Sequence, residues 1–121
     1  MSTDTNDADE TNGTIAVLAG PDRKGLGDAL EDEGVTVRRL DGVVSRPALE
    51  EAGIVEADLY VLTEMAQATT IPIAKDLANG VRVVVYDDNS LPEFASAQTD
   101  LSIDPDLLGP EIVAEELVGD R

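Results

Sequence analysis

A run of small aliphatic residues that stops at a glycine and reopens as a helix, TIAVLAGPDRKGLG over residues 14–27, sets the terms for everything downstream. Residues 14–20 are apolar almost throughout, which suits a strand buried on both faces rather than one with a wet side. The broken turn opens a helix at about Lys24. Leu26, Ala29 and Leu30 form its inward stripe, and Gly34 supplies its stop.

The strand-then-helix unit then repeats. Residues 35–40 make a second strand whose alternation is partial and which carries Arg38 and Arg39, the mark of an edge strand. Ser45-Arg46-Pro47 starts a second helix that Gly53 ends, proline being tolerated in a first turn that needs no amide donor. DLYVLT, residues 58–63, is the third strand. Residues 65–78 are helical in composition, with Ile73, Ala74 and Leu77 inward; Pro72 either starts that helix near Thr70 or kinks a longer one. VRVVVY, residues 81–86, is the most β-prone segment of the chain and the fourth strand. Ser90 with Glu93 fits a capping box opening a short helix through about Ala97. Residues 101–104 make the fifth strand, and residues 110–118 the closing helix, with Ile112, Val113 and Leu117 as its stripe.

Five strands alternating with five helices argue for a parallel sheet with right-handed crossovers. The simplest wrapping is an α/β three-layer sandwich of Rossmann or flavodoxin-like kind, with strand order 2-1-3-4-5. At 121 residues the chain suits a single α/β domain over residues 14–121. Residues 1–13, MSTDTNDADETNG, read as a disordered acidic tail with too little apolar surface to offset chain entropy.

Composition narrows the chemistry. Aromatic residues are only 2% of the chain, so the core has to be built from Val, Leu, Ile and Ala. Cysteine and histidine are both absent, which excludes disulfides, thiol catalysis, histidine acid–base chemistry and a Cys/His zinc site. No apolar run nears the roughly 20 residues of a membrane helix, and the N-terminus has no signal pattern; a soluble, cytoplasmic protein is expected. The net charge is −18, from 26 acidic against 8 basic residues. Such a charge repels nucleic acid and anionic membranes. It also strains the compact state in dilute buffer, an effect that fades in molar salt, where the screening length is about 3 Å.

In a sheet of this order ligands bind beyond the strand C-termini, near the switch between strands one and three. The loops there hold the candidate binding residues. Gly20 and Gly25 occupy the first and third places of a G-x-G-x-x-G fingerprint, but Asp22 takes the middle one, where its carboxylate would meet a phosphate with like charge. Arg23 and Lys24 stand together at the following helix start and could hold a phosphate or carboxylate; the alternative is a tight turn whose bases pair with surface acids. Asp41 lies about where a ribose-binding acid would sit, roughly 20 residues past the glycine turn, and equally suits a plain Asp-Gly turn. Thr63 ends strand three at the same rim. Glu64, Asp87 and Asp88, with Asp41 or Asp22, could gather around Mg²⁺, but acids this numerous cluster by accident, and no metal ligand is assigned. No serine stands beside a base, and no catalytic residue is assigned.

Three stretches carry a resemblance: PALEEAGIVEADLYVLT, IAKDLANGVRVVVYDDNSLPEF and DLSIDPDLLGPEIVAEEL. Together, over residues 47–118, they resemble the nucleotide-binding domains of potassium-uptake regulators, the regulator-of-conductance family. That resemblance implies a Rossmann-like fold and a nucleotide ligand, with Asp41 in the ribose role. The acidic, lysine-poor composition is similar to proteins of salt-accumulating archaea, and the chain looks like small haloarchaeal proteins sometimes labelled CTP synthetase. The residues do not support that activity: there is no P-loop and no cysteine for glutamine hydrolysis. The function expected is a non-catalytic regulatory or ligand-sensing module in a halophile, taking a nucleotide or small anion. The alternatives are a protein–protein interaction domain, homodimeric and without a small ligand, and last a small Mg²⁺-dependent nucleotide enzyme. The cofactor is left open.

Overall fold

Five parallel strands lie side by side in the order β2-β1-β3-β4-β5, the order expected from the sequence. The structure is a computed structural model and describes residues 13–88 and 93–119. The strands are β1 (Ile15–Ala19), β2 (Thr36–Leu40), β3 (Leu59–Leu62), β4 (Arg82–Tyr86) and β5 (Leu101–Ile103). The helices are α1 (Leu26–Asp32), α2 (Arg46–Glu51), α3 (Ile71–Leu77), α4 (Glu93–Ser96) and α5 (Pro110–Gly119), with 3-10 turns at Ile54–Glu56 and Met65–Thr70.

Side chains alternate across a strand, so the aliphatic runs fill two core layers at once. Val17, Ala19, Tyr60, Leu62, Val83 and Val85 face one way, against Leu49 of α2, Ile54, and Ile71 and Ala74 of α3. Ala16, Leu18, Leu59, Val61 and Val84 face the other, against Leu26 and Leu30 of α1 and Val113 and Leu117 of α5. Burying each Leu or Val stabilises by about 1.5–3 kcal/mol relative to leaving it exposed. This doubled use of each strand explains why a chain nearly without aromatic residues still forms a full core.

At the strand entrances two aspartates set the register. The Asp58 amide donates to the Ile15 carbonyl at 2.8 Å, while the Ile15 amide donates back to the Asp58 carboxylate at 3.0 Å. Asp100 repeats the arrangement on Val83, at 2.9 Å and 2.7 Å. At the other ends the pairings Ala19 with Leu40, Ala19 with Leu62, Leu62 with Val85 and Tyr86 with Ile103 bring the strand tips to a common rim.

Two local expectations need correction, and one open choice is resolved. Helix α1 begins at Leu26 rather than Lys24, because Gly25 at φ 81° takes the left-handed N-cap position. Of the two readings of residues 65–78 the first holds: a 3-10 turn over Met65–Thr70 precedes α3, which starts after Thr70 with Pro72 in its first turn. Proline supplies no amide and crowds the residue before it, so an α-ladder cannot run through that point. The turn is pinned from the core, where the Tyr60 hydroxyl meets Thr70 Oγ1 at 2.6 Å and Thr70 Oγ1 donates to the Gln67 carbonyl at 2.5 Å. Burial pushes the Tyr60 phenol up to about 12, against the opposing pull of the Thr70 bond. In α5 the stripe is Val113, Ala114 and Leu117, whereas Ile112 is 51% exposed. Helix α5 packs on α1, and Ala114 there lets the two approach closely. The capping box at Ser90 and the tail at residues 1–12 lie outside the described residues.

Candidate functional site

Where the strands end, a cleft of about 200 Å³ opens. Pro21, Asp22, Arg23 and Lys24 after β1 line it, with Thr63 after β3, Tyr86, Asp87 and Asp88 at the end of β4, and Pro105 beyond β5. Of the candidate residues, Arg23, Lys24 and Thr63 meet in this cleft. Gly20 and Gly25 shape the loop without lining it, and Asp41 stands exposed at the end of β2, outside it.

The glycine loop is spaced for its own side chains. Gly20 has φ 107°, and a Cβ there would fall 2.7 Å from Thr63 Oγ1. Thr63 uses the gap to donate to the Pro21 carbonyl at 2.6 Å, joining the tips of β1 and β3. A Cβ on Gly27 would sit 2.6 Å from an Arg39 guanidinium nitrogen and 2.9 Å from Asp22 Oδ2. The Gly27 amide donates to both Asp22 carboxylate oxygens at 3.1 Å. The Asp22 carboxylate therefore occupies the start of α1, where an oxygen acceptor satisfies an amide left without a helical partner.

Arg39 reaches over from β2 to complete this arrangement. It pairs with Asp22 at 3.0 Å, Asp28 at 3.1 Å and Glu31 at 3.4 Å. The Asp22 hydrogen bond outweighs partial burial and raises the guanidinium above its ordinary value. A carboxylate already neutralised by arginine leaves little incentive for a phosphate to enter the same place.

The rest of the rim is also in use. Asp87 accepts from the Met65 amide at 2.6 Å and so starts the 3-10 turn after β3. The Tyr86 hydroxyl donates to the Leu108 carbonyl at 2.8 Å, tethering the loop before α5. Burial, followed by the nearby Glu111 charge, raises the Tyr86 phenol above its usual value. Arg23 pairs with Glu64 at a long 3.7 Å and is 67% exposed, a contact worth at most about 1 kcal/mol. Lys24 forms no ion pair among the described residues. Among those residues no group of three or more carboxylates comes together as a metal site, and no helix is long and apolar enough to cross a membrane.

Three participants escaped the reading of the residues: Asp22 and Asp87 as caps, and Tyr86 in the cleft. Asp22 had a usable signal. A carboxylate where a fingerprint wants glycine points to an internal occupant as well as to a missing ligand.

A solved protein of Burkholderia pseudomallei K96243, described as pilus assembly-related, is similar in fold, with a TM-score of 0.62 and 17% identity over 88% of each chain. No curated protein sequence matches this chain. A family model does match it, over residues 16–117, and the chain belongs to that family, the family of unknown function DUF7126.

Proposed function

We propose that this chain is a non-catalytic regulatory or ligand-sensing module, derived from a nucleotide-binding domain, that reads a small anion at the rim cleft. The observation that carries the reading is the placement of Arg23 and Lys24, two of eight basic residues, on a cleft where the strands end. Lys24 has no ion partner among the described residues and Arg23 is loosely held, so both charges are available to an incoming phosphate or carboxylate. The volume supports a small occupant: about 200 Å³ falls below the roughly 300–1,000 Å³ of sites that bury a drug-sized ligand. Asp87 and Asp88 in the lining favour an anion that also carries hydroxyl or amino groups.

The non-catalytic part rests on how the polar side chains are employed. Asp22, Thr63 and Asp87 each hold backbone groups. Ser45 caps α2, and the Ser96 hydroxyl donates to the Glu93 carbonyl. The net charge of −18 supports work in concentrated salt, such as the cytoplasm of a salt-accumulating cell.

Thermal unfolding in molar KCl, with inorganic phosphate, AMP, ATP, CTP or NAD added, tests the reading. A small anion or mononucleotide at a hundred times its dissociation constant should stabilise by about 2.7 kcal/mol. Lys24→Ala should remove that shift. Stabilisation by none of the five would sink the proposal.

A second reading, a protein interaction domain without a small ligand, is favoured by one observation. Leu101, Leu108 and Ile112 leave apolar surface open at the β5 edge.

A further inference from the structure

The β5 edge carries a feature that the rim cleft does not explain. Between β5 and α5 runs a groove of about 340 Å³ whose walls are Leu101 and Ile103 on the strand, Leu108 on the loop, and Ile112 on the helix. Ile112 is 51% exposed and Leu108 40%, and Leu107 next to them is 79% exposed. No described strand pairs with the outer edge of β5. An open strand edge beside an apolar groove offers backbone hydrogen bonds and side-chain pockets together, the combination that peptide-recognition surfaces use.

The charge around the groove selects the occupant. Residues 100–119 contain six acids and no base. Asp100 is paired with Lys75 at 3.1 Å. The remaining five, Asp104, Asp106, Glu111, Glu115 and Glu116, form no ion pair among the described residues. Elsewhere three arginines are taken up by carboxylates: Arg38 by Glu56, Arg39 by Asp22, and Arg46 by Asp76. Residues 100–119 thus hold five acids without an ion partner among the described residues and no base, and Glu116 among them lines the apolar groove. A second copy of this chain would bring the same base-free acidic segment against itself. A segment with apolar anchors flanked by lysine or arginine would fill the groove and neutralise its margin.

We infer that the β5–α5 groove is a docking site for a basic, apolar-anchored segment of a partner protein. This inference is independent of the small-anion reading, since the groove shares no residue with the rim cleft.

Selection of a phage-displayed library of 12-residue peptides on the full chain in 1 M KCl, followed by calorimetry on the tightest synthetic peptide, tests it. Recovered peptides should combine Leu, Ile or Phe anchors with an excess of Lys and Arg. Ile112→Lys should weaken the chosen peptide at least tenfold. Glu116→Lys, a change at the exposed polar margin of the groove that leaves its apolar walls intact, should weaken it several-fold and guards against misfolding of the first variant. Peptides without basic excess, or binding unchanged in both variants, would overturn the inference. So would sedimentation showing a dimer that Ile112→Lys converts to monomer, because the groove would then be a contact between copies.

Discussion

The two edges of the sheet solve the same problem in opposite ways. An edge strand exposes unpaired backbone and invites unwanted pairing. On β2 the answer is charge held in place: Arg38 donates to the Ala52 carbonyl at 2.9 Å and to Glu56 at 3.3 Å, and Arg39 is shared among three carboxylates. On β5 the described residues supply no such guard. The strand is three residues long, its neighbours are aliphatic, and its margin is acidic without compensation. One edge is closed by the chain's own ion pairs, and the other is left, among the described residues, unsatisfied in both apolar contact and charge. The proposed interaction surface lies on the second.

The contrast can be broken at either edge, and the largest effect belongs to the entrance of β5. Asp100→Ala removes the acceptor of the Val83 amide from a part-buried hydrogen bond, together with the partner of Lys75, and should destabilise by about 2 kcal/mol in urea unfolding. Burial pushes the Asp100 carboxyl up, but the Val83 amide and Lys75 outweigh it, and the net shift is downward. A lowered carboxyl stabilises the fold above its unfolded value of about 3.9, and that contribution fades as pH falls through the folded value. The variant should therefore lose part of the wild-type sensitivity below pH 4. If it unfolds no more easily than wild type, β5 is held by something other than its aspartate.

Next in size is Asp22→Ala, which uncaps α1 and leaves Arg39 without its nearest partner. Helix caps contribute about 0.5–2 kcal/mol, so a loss of about 1.5 kcal/mol is expected. Asp22→Asn should recover part of it by keeping an oxygen for the Gly27 amide. Arg39→Ala should cost less, about 1 kcal/mol at low salt, and the difference should vanish in 2 M KCl. Persistence at high salt would show that its role is packing rather than charge. The smallest effect is expected from Ile112→Lys, within about 0.5 kcal/mol by thermal unfolding, because half of that side chain already faces water. A loss above 1 kcal/mol would mean that the β5 edge is part of the core and that the contrast between edges fails.

Much of the fold was legible in the residues because it rests on one-dimensional signals. The aliphatic runs at β1, β3 and β4 are continuous, Pro47 and Gly53 punctuate α2, and Arg38 and Arg39 mark β2 as an edge. Periodicity was less informative in α5, where Ile112 and Ala114 compete for the same stripe. The choice is settled by how closely α1 approaches, a distance the sequence does not contain. The turn over Met65–Thr70 depends on a hydroxyl contact with Tyr60 from another element, and is equally silent in one dimension.

The candidate site divides in the same way. That Arg23, Lys24 and Thr63 would gather at one rim followed from the strand order alone. What Gly20 and Gly27 make room for did not. A glycine that admits a ligand and a glycine that admits Thr63 or Arg39 look alike in sequence, because both are defined by a missing side chain.

The carboxylate at the head of α1 behaves as a tethered competitor. Joined to Gly27 by a few residues of chain, it is present there at an effective concentration on the order of millimolar or more, whatever the surrounding solution holds. A free phosphate would have to displace it and its guanidinium partner together. The loop should accordingly stay in one conformation through changes in nucleotide supply, and any metabolite this molecule registers has to announce itself elsewhere on the rim.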